Sequence, residues 1–175
     1  MTPSQPHSQA DLTPLRINCS VITVSDTRTP ETDKSGQLIQ QLLQEANHPI
    51  QDYVILKDEP DEITQTVKDW GQRSDIDVMI LTGGTGIAPR DTTYDSIEKL
   101  LEKTLPGFGE LFRFLSYQEI GSRAMTSRAV AGVFQGKLIF SLPGSSNAVC
   151  LAMNELILPE LSHLMSQLHA SAASQ

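Results

Sequence analysis

A chain of 175 residues with 39% hydrophobic and 19% charged residues has the size and composition of one globular domain that buries its core without disulfides. Its formal charge of -8 disfavours non-specific nucleic-acid binding, which depends on basic patches that neutralise phosphates. No apolar run approaches the roughly 20 residues of a membrane-spanning helix. The N-terminal "MTPSQPHSQADLTPLR" also lacks the basic start and apolar stretch of a secretion signal, so the expectation is a cytoplasmic protein with neither nucleic acid nor membrane as partner.

Residues 1–14, rich in Pro, Ser, Gln and Thr without apolar period, are expected to form a flexible arm. A single domain is expected over 15–168, followed by a flexible tail, 169–175. The β-branched run in "INCSVITVSD" predicts a first strand. After the polar loop "TRTPETDKSG", Leu38, Ile39, Leu42, Leu43 and Ala46 recur on one helical face. "YVILK" predicts a second strand, and "DEPDEITQTVKDWGQR" a helix with Ile63, Val67 and Trp70 in register and acidic residues at its start. "DVMILT" is apolar almost throughout, as a strand buried on both faces of a parallel sheet should be. "LPGFGELFRFLSYQEIG" predicts a short helix and turn, "SRAVAGVFQGKLIFSLPG" a hairpin turning at Gln135-Gly136, and residues 145–168 a helix bent or divided by Pro159. Strand and helix alternate, then a hairpin follows. This order predicts a three-layer α/β/α sandwich with a mostly parallel sheet and one antiparallel element. Cys19 and Cys150 are expected to be reduced packing residues, and the four scattered histidines to lie at the surface.

In such a sheet ligands bind beyond the carboxyl ends of the strands, and "LTGGTGIAPRDTTYDSI" begins at one of them. Gly83, Gly84 and Gly86 let a ligand approach backbone amides that receive phosphate oxygens, and Thr82 and Thr85 add hydroxyls. The spacing fits neither the dinucleotide fingerprint nor the P-loop, which argues against a dinucleotide-dependent oxidoreductase. A structural strand-to-helix turn is the competing reading. Asp91 bears on the choice, because a carboxylate beside phosphates calls for a bridging cation, and Mg²⁺ suits that role. Its other reading is as a helix cap, in competition with Thr92, Thr93 and Asp95. Asp58 ends the second strand and is either a second metal carboxylate or one solvated residue among Asp58, Glu59, Asp61 and Glu62. Ser25-Asp26 and Ser145-Ser146-Asn147 end two further strands. Four polar strand ends on one edge are more than turn chemistry alone demands.

"TVSD", "TGGTGIAPRD", "PGFGELFRFLSYQEIGSRAMTSRAVAG" and "LIFSLPGSSNAV" together resemble the MoaB/MogA family of molybdenum cofactor biosynthesis proteins, with the "GFGE...SRAVAG" portion closer to MoaB. The resemblance implies a molybdopterin-binding-like fold and an adenylyltransferase that uses ATP and Mg²⁺ to convert molybdopterin to its adenylylated form before molybdate insertion. It implies Asp58 and Asp91 as the catalytic, metal-binding pair, with Asp61 a rival to Asp58. Substrate or nucleotide contacts are expected from Ser25, Asp26, Thr82, Gly83, Gly84, Thr85, Gly86, Arg90, Ser127, Ser145 and Asn147. Arg128 is either an anion contact with Ser127 or an exposed strand residue. Tyr94 and Ser96 depart from the proline and alanine usual in active members. The resemblance also implies a homotrimer or homohexamer, with the molybdate-inserting enzyme of the pathway as a further partner. The competing function is a catalytically silent molybdopterin-binding or scaffold protein.

Overall fold

The computed structural model describes residues 15–172, so the arm at 1–14 and residues 173–175 lie outside the described residues. Six strands form one sheet in the order β2-β1-β3-β6-β5-β4: β1 Cys19–Val24, β2 Ile50–Leu56, β3 Val78–Thr82, β4 Lys103–Thr104, β5 Val130–Phe134 and β6 Lys137–Leu142. β2, β1, β3 and β6 run parallel, and β5 is antiparallel to both β6 and β4. The expected α/β sandwich, mostly parallel with one antiparallel element, is the fold observed.

The central strands alternate two apolar faces rather than one apolar and one polar face, because helices cover both sides of the sheet. Cys19 and Val21 of β1, Val78 and Ile80 of β3, and Leu138, Phe140 and Leu142 of β6 pack on one side. There they meet α1 (Lys34–Glu45), α4 (Pro106–Ile120), α5 (Ser146–Ala152) and α6 (Leu158–Ala172). Ile22, Val24, Met79, Leu81 and Ile139 face the other side, toward Ile63, Val67 and Trp70 of α2 (Pro60–Gly71) and Ile97 of α3 (Thr93–Leu100). Burial of these aliphatic side chains contributes on the order of 1.5–3 kcal/mol each and is the main force holding the layers together.

Several expectations are corrected. α4 is a 15-residue helix rather than a short helix and turn. Its buried face carries Phe108 and Phe112, while Leu111, Phe114, Tyr117 and Ile120 stay exposed on the other, so apolar residues occur all round and the helical period is masked in sequence. The last helix divides not at Pro159 itself but in a π-helical stretch over Met153–Ile157, where the Leu158 amide donates five residues back to the Met153 carbonyl. Proline lacks the amide that the regular ladder requires at 159, and the π turn takes up the break. α6 then continues past Leu168 to Ala172, helped by helix-favouring alanines. The two-residue β4, too short to leave a pattern, extends the antiparallel edge. His48 is buried, its Nδ1 accepting from the Ile17 amide at 3.3 Å, and burial lowers its pKa. Both cysteines are free, but Cys150 is exposed and only Cys19 packs in the core. Burial, then the nearby Asp77, push the Cys19 thiol up to about 12. The hairpin turns where expected, with Gln135 (φ 49°) and Gly136 (φ 72°) both left-handed, as a two-residue hairpin turn requires.

Candidate functional site

Parallel register brings four strand ends to one edge. Val24 pairs with Leu56, and Thr82 pairs with Thr23 on one side and Leu142 on the other, so the segments that follow emerge side by side. The chain leaves β1 for α1 on one face of the sheet and β3 for α3 on the opposite face. A crevice opens where neighbouring strands diverge in this way.

The loop after β3 fits this crevice only because of its glycines. Gly83 (φ +104°) lies against the Val24 carbonyl, and Gly84 (φ +63°) against Asp58 Oδ2 and Thr93 Oγ1. A Cβ on Gly86 would stand 2.5 Å from Asp91 Oδ2. Both candidate carboxylates therefore rest on the same glycine loop. The Gly83 amide is taken by the Leu142 carbonyl at 3.0 Å, and the Gly84 carbonyl accepts from the Thr93 amide at 2.9 Å. Among the described residues, the amides of Gly84, Thr85 and Gly86 donate to no protein acceptor. Gly84 and Gly86 are half-exposed, so their amides are open to a ligand or to solvent. Gly84→Ala is expected to cost about 1–2 kcal/mol for the left-handed conformation alone and to displace Asp58. Gly107→Ala, where a Cβ meets nothing within 4 Å, should leave the melting temperature unchanged or slightly raised; equal effects at the two positions would count against this geometry.

Asp58 is 6% exposed. Its Oδ1 accepts from the Thr92 amide at 3.1 Å and the Thr92 hydroxyl at 2.6 Å, which leaves Oδ2 toward Gly84. Asp61 instead lies exposed in the first turn of α2. Asp91 does not cap α3. Thr92 holds the N-cap position without a side-chain hydrogen bond, and Asp91 Oδ2 turns back to the Ala88 amide at 3.1 Å. Asp91 lines a cleft of about 300 Å³ with Gly86, Ala88, Ser96, Lys99 and Arg128.

Arg90, expected near phosphates, is turned elsewhere. Its Nε and Nη2 donate to the two oxygens of Asp26 at 3.0 Å each, and Nη1 donates to Glu59 at 2.8 Å. Carboxylates from two other loops thus take three of the five guanidinium N–H groups, and the side chain is not part of the cleft wall. These hydrogen bonds, with one from the Asp58 amide, hold the Asp26 carboxyl below its ordinary range. Thr82 is buried, its hydroxyl donating to the Pro143 carbonyl at 3.1 Å, and Thr85 is buried too. Ser25 accepts from the Arg28 amide at 3.1 Å and ties its own loop. Ser145 caps α5 by accepting from the Ala148 amide at 3.2 Å. Asn147 lines a separate cavity with Glu119, Ile120 and Cys150. Ser127 follows the 3-10 turn Gly121–Thr126, its amide on the Ala124 carbonyl, outside the Asp91 cleft.

Two residues of the crevice had no sequence signal. Asp33, 0% exposed, caps α1 and accepts from the hydroxyls of Thr23 (2.5 Å), Tyr53 (2.7 Å) and Ser35 (3.1 Å), the Gly36 amide (3.1 Å) and Arg28 Nη1 (3.2 Å). Burial raises its pKa, but the hydrogen bonds from Thr23, Tyr53, Gly36 and Ser35 outweigh it and hold the carboxyl below its ordinary range. Arg28 Nη2 donates to the Gly144 carbonyl at 2.8 Å. Gly144 lies against Gly83, so close that a Cβ would come within 3.2 Å of its Cα. Arg28 thereby joins the loops after β1, β3 and β6.

Comparison with known proteins places these features in a family. The family described as probable molybdopterin binding domain matches residues 20–163. A relative named molybdenum cofactor biosynthesis protein B, from Bacillus anthracis, is 53% identical over 157 residues, covering 89% of this chain and 93% of its own. A crystal structure of a molybdenum cofactor biosynthesis protein B superimposes with a TM-score of 0.87 at 52% identity, covering 90% and 98% of the two chains. The tungsten cofactor synthesizing protein MoaB from Pyrococcus furiosus gives a TM-score of 0.80 at 38% identity, with 89% and 98% covered.

Proposed function

Because the chain belongs to the MoaB family of molybdenum cofactor biosynthesis proteins, we propose that its glycine-loop crevice adenylylates molybdopterin with Mg²⁺ and ATP. The observation that carries this reading is the glycine loop with three unused amides and two carboxylates, Asp58 and Asp91, resting on it. A terminal phosphate oxygen of the pterin attacks the α-phosphorus of ATP. The bond from that phosphorus to the bridging oxygen breaks, and pyrophosphate leaves. No protein nucleophile takes part, so positioning and charge neutralisation supply the acceleration.

The donor set suits Mg²⁺. Two hard carboxylate oxygens are on hand, and among the described residues no group of three or more His, Cys, Asp or Glu side chains converges on a metal position. An ion that keeps its remaining sites for water and substrate phosphates needs no more. Asp58 and Asp91 would hold it, and it would neutralise charge on the phosphates and orient them. The amides of Gly84 to Gly86 receive phosphate oxygens, and Thr92 fixes the Asp58 rotamer.

Pyrophosphate release from ATP that requires both molybdopterin and Mg²⁺ is the deciding measurement. Its absence in protein that still binds the pterin would leave the silent binding role. The exposed Leu111, Phe114, Tyr117 and Ile120 of α4, with Met125 beyond, support a homo-oligomer, trimer or hexamer, because apolar surface of this kind marks interaction sites. Phe114→Glu is expected to lower the mass seen by light scattering; a wild-type monomer at micromolar concentration would refute the assembly. Among the described residues no helix is long and apolar enough to cross a membrane.

A further inference from the structure

Arg128 has no part in the chemistry above, yet its placement is specific. It stands between the 3-10 turn and β5 rather than exposed on a strand. Two residues in the first turn of α3 fix its guanidinium. Its Cζ lies 4.2 Å over the centre of the Tyr94 ring, and Nη2 donates to Asp95 Oδ2 at 2.7 Å. The side chain is 26% exposed, and its Nε is buried without a hydrogen-bond partner. The same side chain lines the cleft that holds Asp91, and Lys99 lines it too.

A buried, unpartnered donor on a charged group is destabilising unless a ligand meets it. Stacking and the ion pair hold the guanidinium in one plane, and its remaining N–H groups match two oxygens of a phosphate in the planar, bidentate way that lysine cannot reproduce. We infer that Arg128, laid on Tyr94 and braced by Asp95, binds a phosphate group in the Asp91 cleft, with Lys99 as a second cation. Tyr94 is the positioning residue. The proline that the resemblance would place there has no aromatic face for a guanidinium to lie on, so the Tyr94 platform is a feature of the chain's own sequence. The inference deepens the adenylyl-transfer reading and rests on it only for the identity of the phosphate.

The test is calorimetric titration of the full chain with inorganic pyrophosphate and, separately, inorganic phosphate, each with Mg²⁺. Arg128→Gln and Arg128→Lys should each weaken binding by about tenfold. Tyr94→Ala should weaken it too, and Tyr94→Phe, which keeps the ring, should not. Tighter pyrophosphate assigns the subsite to the nucleotide, and tighter phosphate assigns it to a monoester such as the pterin's; either result upholds it. Arg128→Gln equal to wild type, or wild type that binds neither probe at millimolar concentration, overturns it. Melting curves accompany each variant. If Arg128→Gln does not fold, Tyr94→Ala decides, and wild-type affinity there overturns the inference. Adenylyl transfer is followed in parallel. Absence of transfer alongside Arg128-dependent pyrophosphate binding removes the reaction and keeps the subsite, whereas transfer with KM values unchanged in Arg128→Gln removes the subsite alone.

Discussion

Asp91→Asn is expected to lower Mg²⁺-dependent pyrophosphate release by about two orders of magnitude or more, roughly 3 kcal/mol, while the melting temperature and pterin affinity change little. Asparagine has nearly the same shape, so the contact with Gly86 survives, and its amide oxygen can still accept from the Ala88 amide as Asp91 Oδ2 does at 3.1 Å. Helix capping is not at stake, because Thr92 occupies the N-cap of α3. Only the charge and the affinity for a divalent cation are removed. A structural role would give the opposite pattern, with near-normal turnover and a lowered melting temperature. Turnover close to wild type would take Asp91 out of the reaction.

The readability of this chain follows how locally each feature is encoded. β1, β3 and the α1 and α2 faces were legible because burial on a sheet imposes a period on contiguous residues, and Gln135-Gly136 because its turn needs two left-handed residues. Glycine loop and carboxylates were legible as a set of strand ends, since parallel strands bring their carboxyl ends to one edge by topology. The fates of individual side chains were not. Arg90 finds Asp26 and Glu59 only once three loops meet. Arg128 finds Tyr94 and Asp95 across more than thirty positions. The full length of α4 escaped, though a short helix was expected there, because a helix with apolar residues on both its buried and its exposed face has no polar side to reveal its period. "TRTPETDKSG" reads as a solvated loop, yet it carries the most buried carboxylate network of the crevice, because the partners of Asp33, namely Thr23 and Tyr53, come from two neighbouring strands.

That network gives the largest expected effect on stability. Asp33→Ala removes the N-cap of α1, leaves the hydroxyls of Thr23 and Tyr53 without their acceptor, and takes from Arg28 its carboxylate partner, Thr23 being 0% exposed. Breaking a buried charged network from one side costs about 3–5 kcal/mol, roughly 10 °C or more in melting temperature for a domain of this size. Arg28 also holds the Gly144 carbonyl, so the loop after β6 should loosen where it meets Gly83, and activity should fall with stability rather than independently of it. The pH dependence separates charge from packing. Hydrogen bonds that outweigh burial keep the folded-state pKa of Asp33 below its ordinary 3.8. Its ionised form therefore contributes fully above that value, and the contribution is lost as pH falls through the folded pKa. Denaturant midpoints of wild type and variant should differ most near neutral pH and converge only in acid below about pH 3.8. A gap that stays constant into strong acid would assign the loss to packing, and no gap at neutral pH would deny the network any part in holding the crevice together.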